Sequence, residues 1–171
     1  AASYIVGCCA TSAPNLYADV CNESLDVLLQ VISIPDAKTE ENLSATENAS
    51  AAVAKILRTF NTNLPNFNDN VQVWLKSFPI IQDEESAAFN YNFLCELIMK
   101  NHEAVVSTEA LPVLLTCVVE SLEKKVLRGD AAKSTIHTMK QVLAQIPQDQ
   151  IMTLFSGTSE EMMGNIQKWF G

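Results

Sequence analysis

Apolar residues recur every three to four positions along almost the whole chain, and no stretch keeps up the alternation of a half-buried strand. Tyr17, Cys21, Leu25, Leu28 and Ile32 share one stripe of a helix predicted over about 16–34. Asp19, Glu23, Asp26 and Gln30 form its wet stripe. Pro14 divides this helix from another over 1–13, and Pro35 ends it, because proline has no N–H and crowds the preceding residue. A polar connector, 36–41, leads to a helix over about 42–60. Its many small residues (Ala45, Ala49, Ala51, Ala52, Ala54) allow neighbours to approach closely. An Asn-rich loop, 61–68, precedes a short helix over about 69–78 that stops before Pro79. Asp83 is the expected N-cap of a helix over about 84–101, and Thr108 of one over about 109–127, with Pro112 in its first turn. The run Arg128-Gly129-Asp130 is expected to close that helix and open the next. Helices over about 130–145, 148–155 and 159–170 complete the chain, with Thr158 and Glu161 spaced as a capping box.

Helices of one kind begin near 42, 84 and 130. That interval matches the roughly 40–47-residue period of HEAT and armadillo units, in which paired helices bury their apolar faces on neighbouring pairs. The expected fold is an all-α solenoid of antiparallel helix pairs. Its units are 16–60, 69–101 and 109–145, preceded by the second helix of an earlier unit (1–13) and followed by a compressed cap (148–171), as terminal repeats often are. The apolar run Tyr4-Ile5-Val6 then needs an upstream neighbour to cover it. The absent initiating Met likewise fits a piece of a longer chain.

Three stretches carry a family resemblance. Glu41-Asn42-Leu43-Ser44-Ala45-Thr46-Glu47-Asn48-Ala49 and its continuation to Leu57 resemble the E-N-x-x-A-T-E-N-A-x-x-A-V-x-K-I stretch of importin-beta family nuclear transport receptors. Val73-Trp74-Leu75-Lys76-Ser77-Phe78-Pro79 is similar to the W-L-x-x-L-P element that follows it. Phe89 to Ile98 resembles the next, F-N-Y-x-F-L-C-x-L-I. Order and spacing resemble the C-terminal repeats of the importin five (RanBP five) class, its fungal members above all. The opening Ala1–Gly7 and closing Met163–Gly171 are similar too. The resemblance implies a carrier that binds protein cargo through basic nuclear localisation signals and contacts phenylalanine-glycine repeats of pore proteins. It implies cargo release by Ran-GTP and shuttling between cytoplasm and nucleus. It places the Ran-binding repeats and the best-defined cargo site in other parts of such proteins. The alternative is a generic HEAT-repeat scaffold of another complex.

Charge narrows the partners. Lys and Arg number 11 against 20 Asp and Glu, a net charge of −9. Nucleic acid needs the opposite balance, whereas basic proteins would be drawn to this one. No apolar run approaches the ~18 residues of a membrane span. The five Cys (8, 9, 21, 95, 117) form no C-x-x-C pair and sit mostly in apolar runs, as buried thiols in a reducing compartment would. The sequons at Asn22, Asn42 and Asn48 read as chance matches.

Chemistry-bearing motifs are absent from the sequence: no H-E-x-x-H, no Cys/His metal spacing, no EF-hand loop, no glycine-rich phosphate cradle. No catalytic, metal or cofactor residues are therefore assigned. His102 is expected at a helix C-terminus and His137 on a polar face, neither spaced to pair with a thiol. Trp74 is expected in the core, and Trp169 with Phe170 closing the last repeat. Partner-binding candidates follow from the repeat class, in which the second helix of each pair lines the concave side. They are Ser44, Glu47, Lys55 and Arg58 on the 42–60 helix, and Glu85, Asn92, Glu96 and Lys100 on the 84–101 helix. Lys133, His137, Lys140 and Gln141 are those of the 130–145 helix. For each, the plain alternative is a solvated helix face. Asn48, in a crowded helix, is expected to hydrogen-bond between repeats.

Overall fold

The structure, a computed structural model, describes the backbone of residues 1–171 and every side chain except those of Thr62, Gln148, Asp149 and Met152. Ten α-helices follow in order: α1 (Ala2–Ser12), α2 (Pro14–Ser33), α3 (Leu43–Phe60), α4 (Phe67–Leu75), α5 (Glu84–Met99), α6 (Glu103–Val106), α7 (Ala110–Glu123), α8 (Gly129–Ala144), α9 (Gln148–Leu154) and α10 (Glu160–Phe170). No strand occurs among the described residues. The all-α expectation holds, and no helix is long and apolar enough to cross a membrane among the described residues.

The helices form two rows. In one, α1 touches α3, α3 touches α5, α5 touches α8 and α8 touches α10. In the other, α2 touches α4, α4 touches α6, and α6 touches α7. The rows join through α2 against α3, α3 against α4 and α7 against α8. Each helix thus shields the apolar flank of its neighbours, as stacked repeats require. α1 and α3 approach each other closely. A Cβ placed on Gly7 would lie 3.0 Å from the Lys55 Cδ and 3.3 Å from the Ala52 Cα, so glycine and alanine let the two backbones meet.

Between the rows, Trp74 is fully buried. Its ring meets Phe78 edge-on at 5.0 Å and Phe93 at 5.1 Å, and Phe78 meets Tyr91 at 5.1 Å. These T-shaped and tilted pairs set the positive edge of one ring on the face of the next. They tie α4 and its following loop to α5.

Several expectations are corrected. Tyr17 is half-exposed because α2 kinks there (φ −113°, ψ 18°), which rotates it off the stripe of Cys21, Leu25, Leu28 and Ile32. The loop 61–68 holds a 3-10 turn at Asn61–Asn63, and a four-residue helix, α6, lies where none is expected. α7 starts under Ser107, whose hydroxyl accepts from the Ala110 N–H, not under Thr108. It ends at Glu123, ahead of the expected position. There Lys125 takes the left-handed conformation (φ 59°), with the Val126 N–H bonded to the Ser121 carbonyl and the Lys125 N–H to Leu122, a Schellman closure without glycine. Asn101 (φ 53°) closes α5 in the same way. At α10 the cap is Ser159, which accepts from the Met162 N–H, one position after the expected Thr158. Asp83 caps α5 as expected, accepting from Ser86 at 2.6 Å.

Candidate partner-binding surface

The α1–α3–α5–α8 row carries the candidate residues, and its polar side chains fall into two sets. One set turns inward. Glu47 is fully buried, not on a wet face, because the loop between α4 and α5 folds over it. Its carboxylate accepts from the N–H groups of Ile81 (2.6 Å), Gln82 (3.0 Å) and Asp83 (2.7 Å). Removal from water pushes this acid above its ordinary value despite those bonds. Ser50, Ser77 and Asn90 are buried alongside. The Asn90 Oδ1 receives the Trp74 Nε1–H at 2.7 Å and lies 2.8 Å from the Ser50 hydroxyl, which also lies 2.6 Å from Ser77. Asn48, expected to reach another repeat, instead donates to the Ser44 carbonyl one turn back in its own helix.

The other set pairs across the row. Lys55 projects along the α1–α3–α5 seam with its side chain only 11% exposed. Its ammonium lies 5.4 Å from the ring centres of both Tyr4 and Phe89, and 4.0 Å from the Glu85 carboxylate. This is a cation held between two aromatic faces. The same Glu85 carboxylate is the main cause of a raised Tyr4 phenol. Arg58 grips Glu96 with two nitrogens, at 2.6 and 3.1 Å, and also lies 5.6 Å from Phe89. Arg128 pairs with Glu84 across the row, whereas Lys133 pairs with Asp130 at 3.1 Å within α8 itself. So Lys55 is mostly covered, and Arg58, Glu85 and Glu96 already hold one another's repeats together. Tyr4 and Phe89 are not among the residues expected on this surface, and only the meeting of α1, α3 and α5 brings them opposite Lys55.

Ser44, Asn92, His137, Lys140 and Gln141 are exposed, with Lys100. Lys140 donates to the Gly171 carbonyl at 3.0 Å, which draws α10 onto α8. Glu123, at the end of α7, accepts from Lys168 and from the Trp169 Nε1–H, both at 2.6 Å, and the Lys168 bond is the main cause of its lowered pKa. Phe170 is buried beneath, so this pair closes the last layer. His102 sits at the C-terminal end of α5, as expected, its N–H bonded to the Leu97 carbonyl. It caps α6, its Nδ1 accepting from the Ala104 N–H while its Nε2 contacts Asn68 at 3.1 Å.

Three thiols, Cys21, Cys95 and Cys117, are buried and free, and burial raises each, Cys117 to about 12. Among the described residues no three His, Cys, Asp or Glu gather to hold a metal.

A family model described as an importin repeat matches residues 83–136, which run from the Asp83 cap through α5 and α7 into α8. Importin subunit beta-3 of Saccharomyces cerevisiae is 41% identical over 170 residues, which is 99% of this chain and 16% of that protein. Over nearly its whole length the chain is similar to importin-beta-family proteins. It also superimposes on solved structures of Kap121p. The complex with RanGTP matches at a TM-score of 0.81 and 38% identity, over 99% of this chain and 15% of that one. The complex with Ste12p matches at 0.81 and 37%, with the same coverage. Its two helix rows are therefore those of a HEAT-repeat solenoid. The segment spans about one-sixth of the length of these relatives.

Proposed function

We propose that this chain forms the C-terminal HEAT repeats of a nuclear import receptor that carries protein cargo with basic localisation signals through the pore, releases it on Ran-GTP binding and shuttles between cytoplasm and nucleus. The observation that carries this reading is the continuous α1–α3–α5–α8 row in a chain so similar to Kap121p, which has been solved with RanGTP, with Ste12p and with the SUMO protease Ulp1p. Within that receptor the units are 16–60, 69–101 and 109–145, with 148–171 as the cap. The half-exposed Tyr4 and Ile5 of α1 present an apolar face on which a preceding repeat would pack. Ran-GTP is engaged through other parts of the parent protein.

The segment contributes surface and curvature, not a reaction centre. Of the concave-face candidates, Ser44, Asn92 and His137 are free to meet cargo, while Lys55, Arg58, Glu85, Glu96 and Lys133 first have to leave their present partners. Phenylalanine-glycine repeats would dock on the opposite row. An apolar slot of about 530 Å³ lies between α4 and α7, lined by Leu75, Ala104, Val113 and Leu114, with α6 at its edge. Val113 is 61% exposed there.

The test uses the full-length parent protein. Deleting residues 1–171 is expected to change the set of cargoes bound or their release, and Val113→Glu to weaken capture by phenylalanine-glycine peptides. Unchanged cargo binding, release and capture would refute the reading. A generic scaffold of another complex would bind neither those peptides nor Ran-GTP.

A further inference from the structure

Charge is divided between the two helix rows. α2, α4, α6 and α7 carry Asp and Glu but no Lys or Arg within their bounds. The helix-borne basic residues, Lys55, Arg58, Lys133, Lys140 and Lys168, all lie on α3, α8 and α10 of the other row. Much of the net charge of −9 therefore stands on the row that holds the α4–α7 slot.

That charge reaches the slot itself. Among the described residues its charged lining side chains are Glu103, which begins α6, and Glu109, just ahead of α7. Both are exposed, and neither carboxylate makes a hydrogen bond or ion pair among the described residues. Lys76, which follows Leu75, does not line the slot. Glu109 also lines an adjoining apolar cavity between α7 and α9, again with no cation among the described lining residues. An apolar seat and two uncompensated carboxylates thus share one opening.

The two features select different parts of a ligand. The slot, about 530 Å³, is about 10 Å across, close to the Debye length of about 8 Å at physiological salt. An ammonium or guanidinium at its rim is attracted by both carboxylates, and an acid there is repelled by both. The floor of Leu75, Val113 and Leu114 takes an apolar side chain whatever its flank. Exposed ion pairs are individually weak, so the two acids together favour a basic flank by about five-fold.

We propose that the α4–α7 slot selects phenylalanine-glycine segments by charge, seating the ring on its apolar floor and receiving a Lys or Arg just after the glycine at Glu103 and Glu109. This rests on the docking of such segments in that slot, proposed above, and adds which of them it prefers. The site shares no residue with the concave-face candidates.

Four labelled peptides test it on the whole chain by fluorescence anisotropy: Ser-Gly-Phe-Gly-Lys-Arg-Ser, the same with Ser-Gln or with Glu-Asp in place of Lys-Arg, and the Lys-Arg form with Ala in place of Phe. The first is expected to bind about five-fold tighter than the Ser-Gln form, with the Glu-Asp form weakest, and the preference should fade as salt rises. The Ala form should bind at least about five-fold more weakly than the first, because the ring supplies the anchor. Glu103→Gln with Glu109→Gln is expected to erase the preference while leaving the Ser-Gln form within about two-fold. Glu23→Gln with Asp26→Asn, on α2, removes the same charge elsewhere and should leave the preference intact. All four substituted positions are exposed, and unchanged circular dichroism verifies the fold. Equal binding of the Lys-Arg and Ser-Gln forms, a preference that survives in the slot variant, or one erased equally by the α2 variant overturns charge selection and leaves docking standing. If no Phe peptide binds, or the Ala form binds as well as the first, docking in this slot falls with it.

Discussion

The Glu47 carboxylate takes a 2.6 Å hydrogen bond from the Ile81 N–H, so α3 of one helix pair holds the loop inside the next. With the Gln82 and Asp83 bonds beside it, three backbone donors at the mouth of α5 are satisfied by a single side chain. Buried donors left without a partner cost about 1–3 kcal/mol each. Glu47→Ala is therefore expected to lose at least about 3 kcal/mol, read from urea unfolding. A loss below about 1 kcal/mol would mean that water replaces the carboxylate.

The same acid gives a pH signature. Burial raises its folded pKa above the ordinary 4.5, so the folded state binds the proton more tightly than the unfolded one. Stability owed to that proton is full below the ordinary value and is lost as pH rises through the folded one. Relative to Glu47→Gln, which does not titrate, the parent should lose stability on going from pH 4 toward neutrality. Parallel stability curves for the two proteins would contradict this.

Asn90 is the shared acceptor of Trp74 and Ser50. Asn90→Ala strands the buried indole N–H, and a loss of about 2–3 kcal/mol is expected from that donor and the emptied volume. Ser50→Ala removes a hydroxyl whose one proton is contested between two neighbours, and should cost less. Calorimetry of both variants settles the order.

Gly129 opens α8 at φ +62° with no atom within 4 Å of where a Cβ would stand. Gly129→Ala is thus a backbone test alone, with an expected cost of about 1 kcal/mol. Gly7→Ala is the converse, a contact test against Ala52 and Lys55, with an expected cost of about 1–3 kcal/mol from overpacking. Equal thermal stability of either variant and the parent would count against its argument.

Thiol titration should separate the cysteines into two classes. Cys8 and Cys9 are half-buried and are expected to react first with a disulfide reagent at pH 8. Cys117, pushed up to about 12, carries almost no thiolate there and should react only on unfolding, together with Cys21 and Cys95. Five equally fast thiols in the folded protein would be the contrary result.

Much of this architecture can be read from the chain because its punctuation is local. Pro14, Pro35 and Pro79 and the Asp83 cap act within a turn of where they stand, and the apolar period marks what lies between. The misses share a different cause. Glu47 falls at helical spacing with Ser44, Lys55 and Arg58, so its own helix presents it as wet. What buries it is a loop more than thirty residues later, which no periodicity contains. Its one local hint is its company, between Thr46 and Ala49 in a helix of small residues. A kink turns Tyr17 off its stripe, and Lys125 closes α7 in a conformation usually left to glycine. Pairings such as Lys55 with Tyr4 and Phe89 depend on three helices meeting, and one sequence gives their types without their registry.

The Gly7–Ala52 approach has a mechanical consequence. α1 is bound to the body through its flank on α3 as well as through the peptide bonds at Ala13. A protease nick at that bend would therefore leave an eleven-residue helix seated like a ligand. The extent of its release would then follow a dissociation constant, and added synthetic peptide of the same sequence would keep the site on α3 filled.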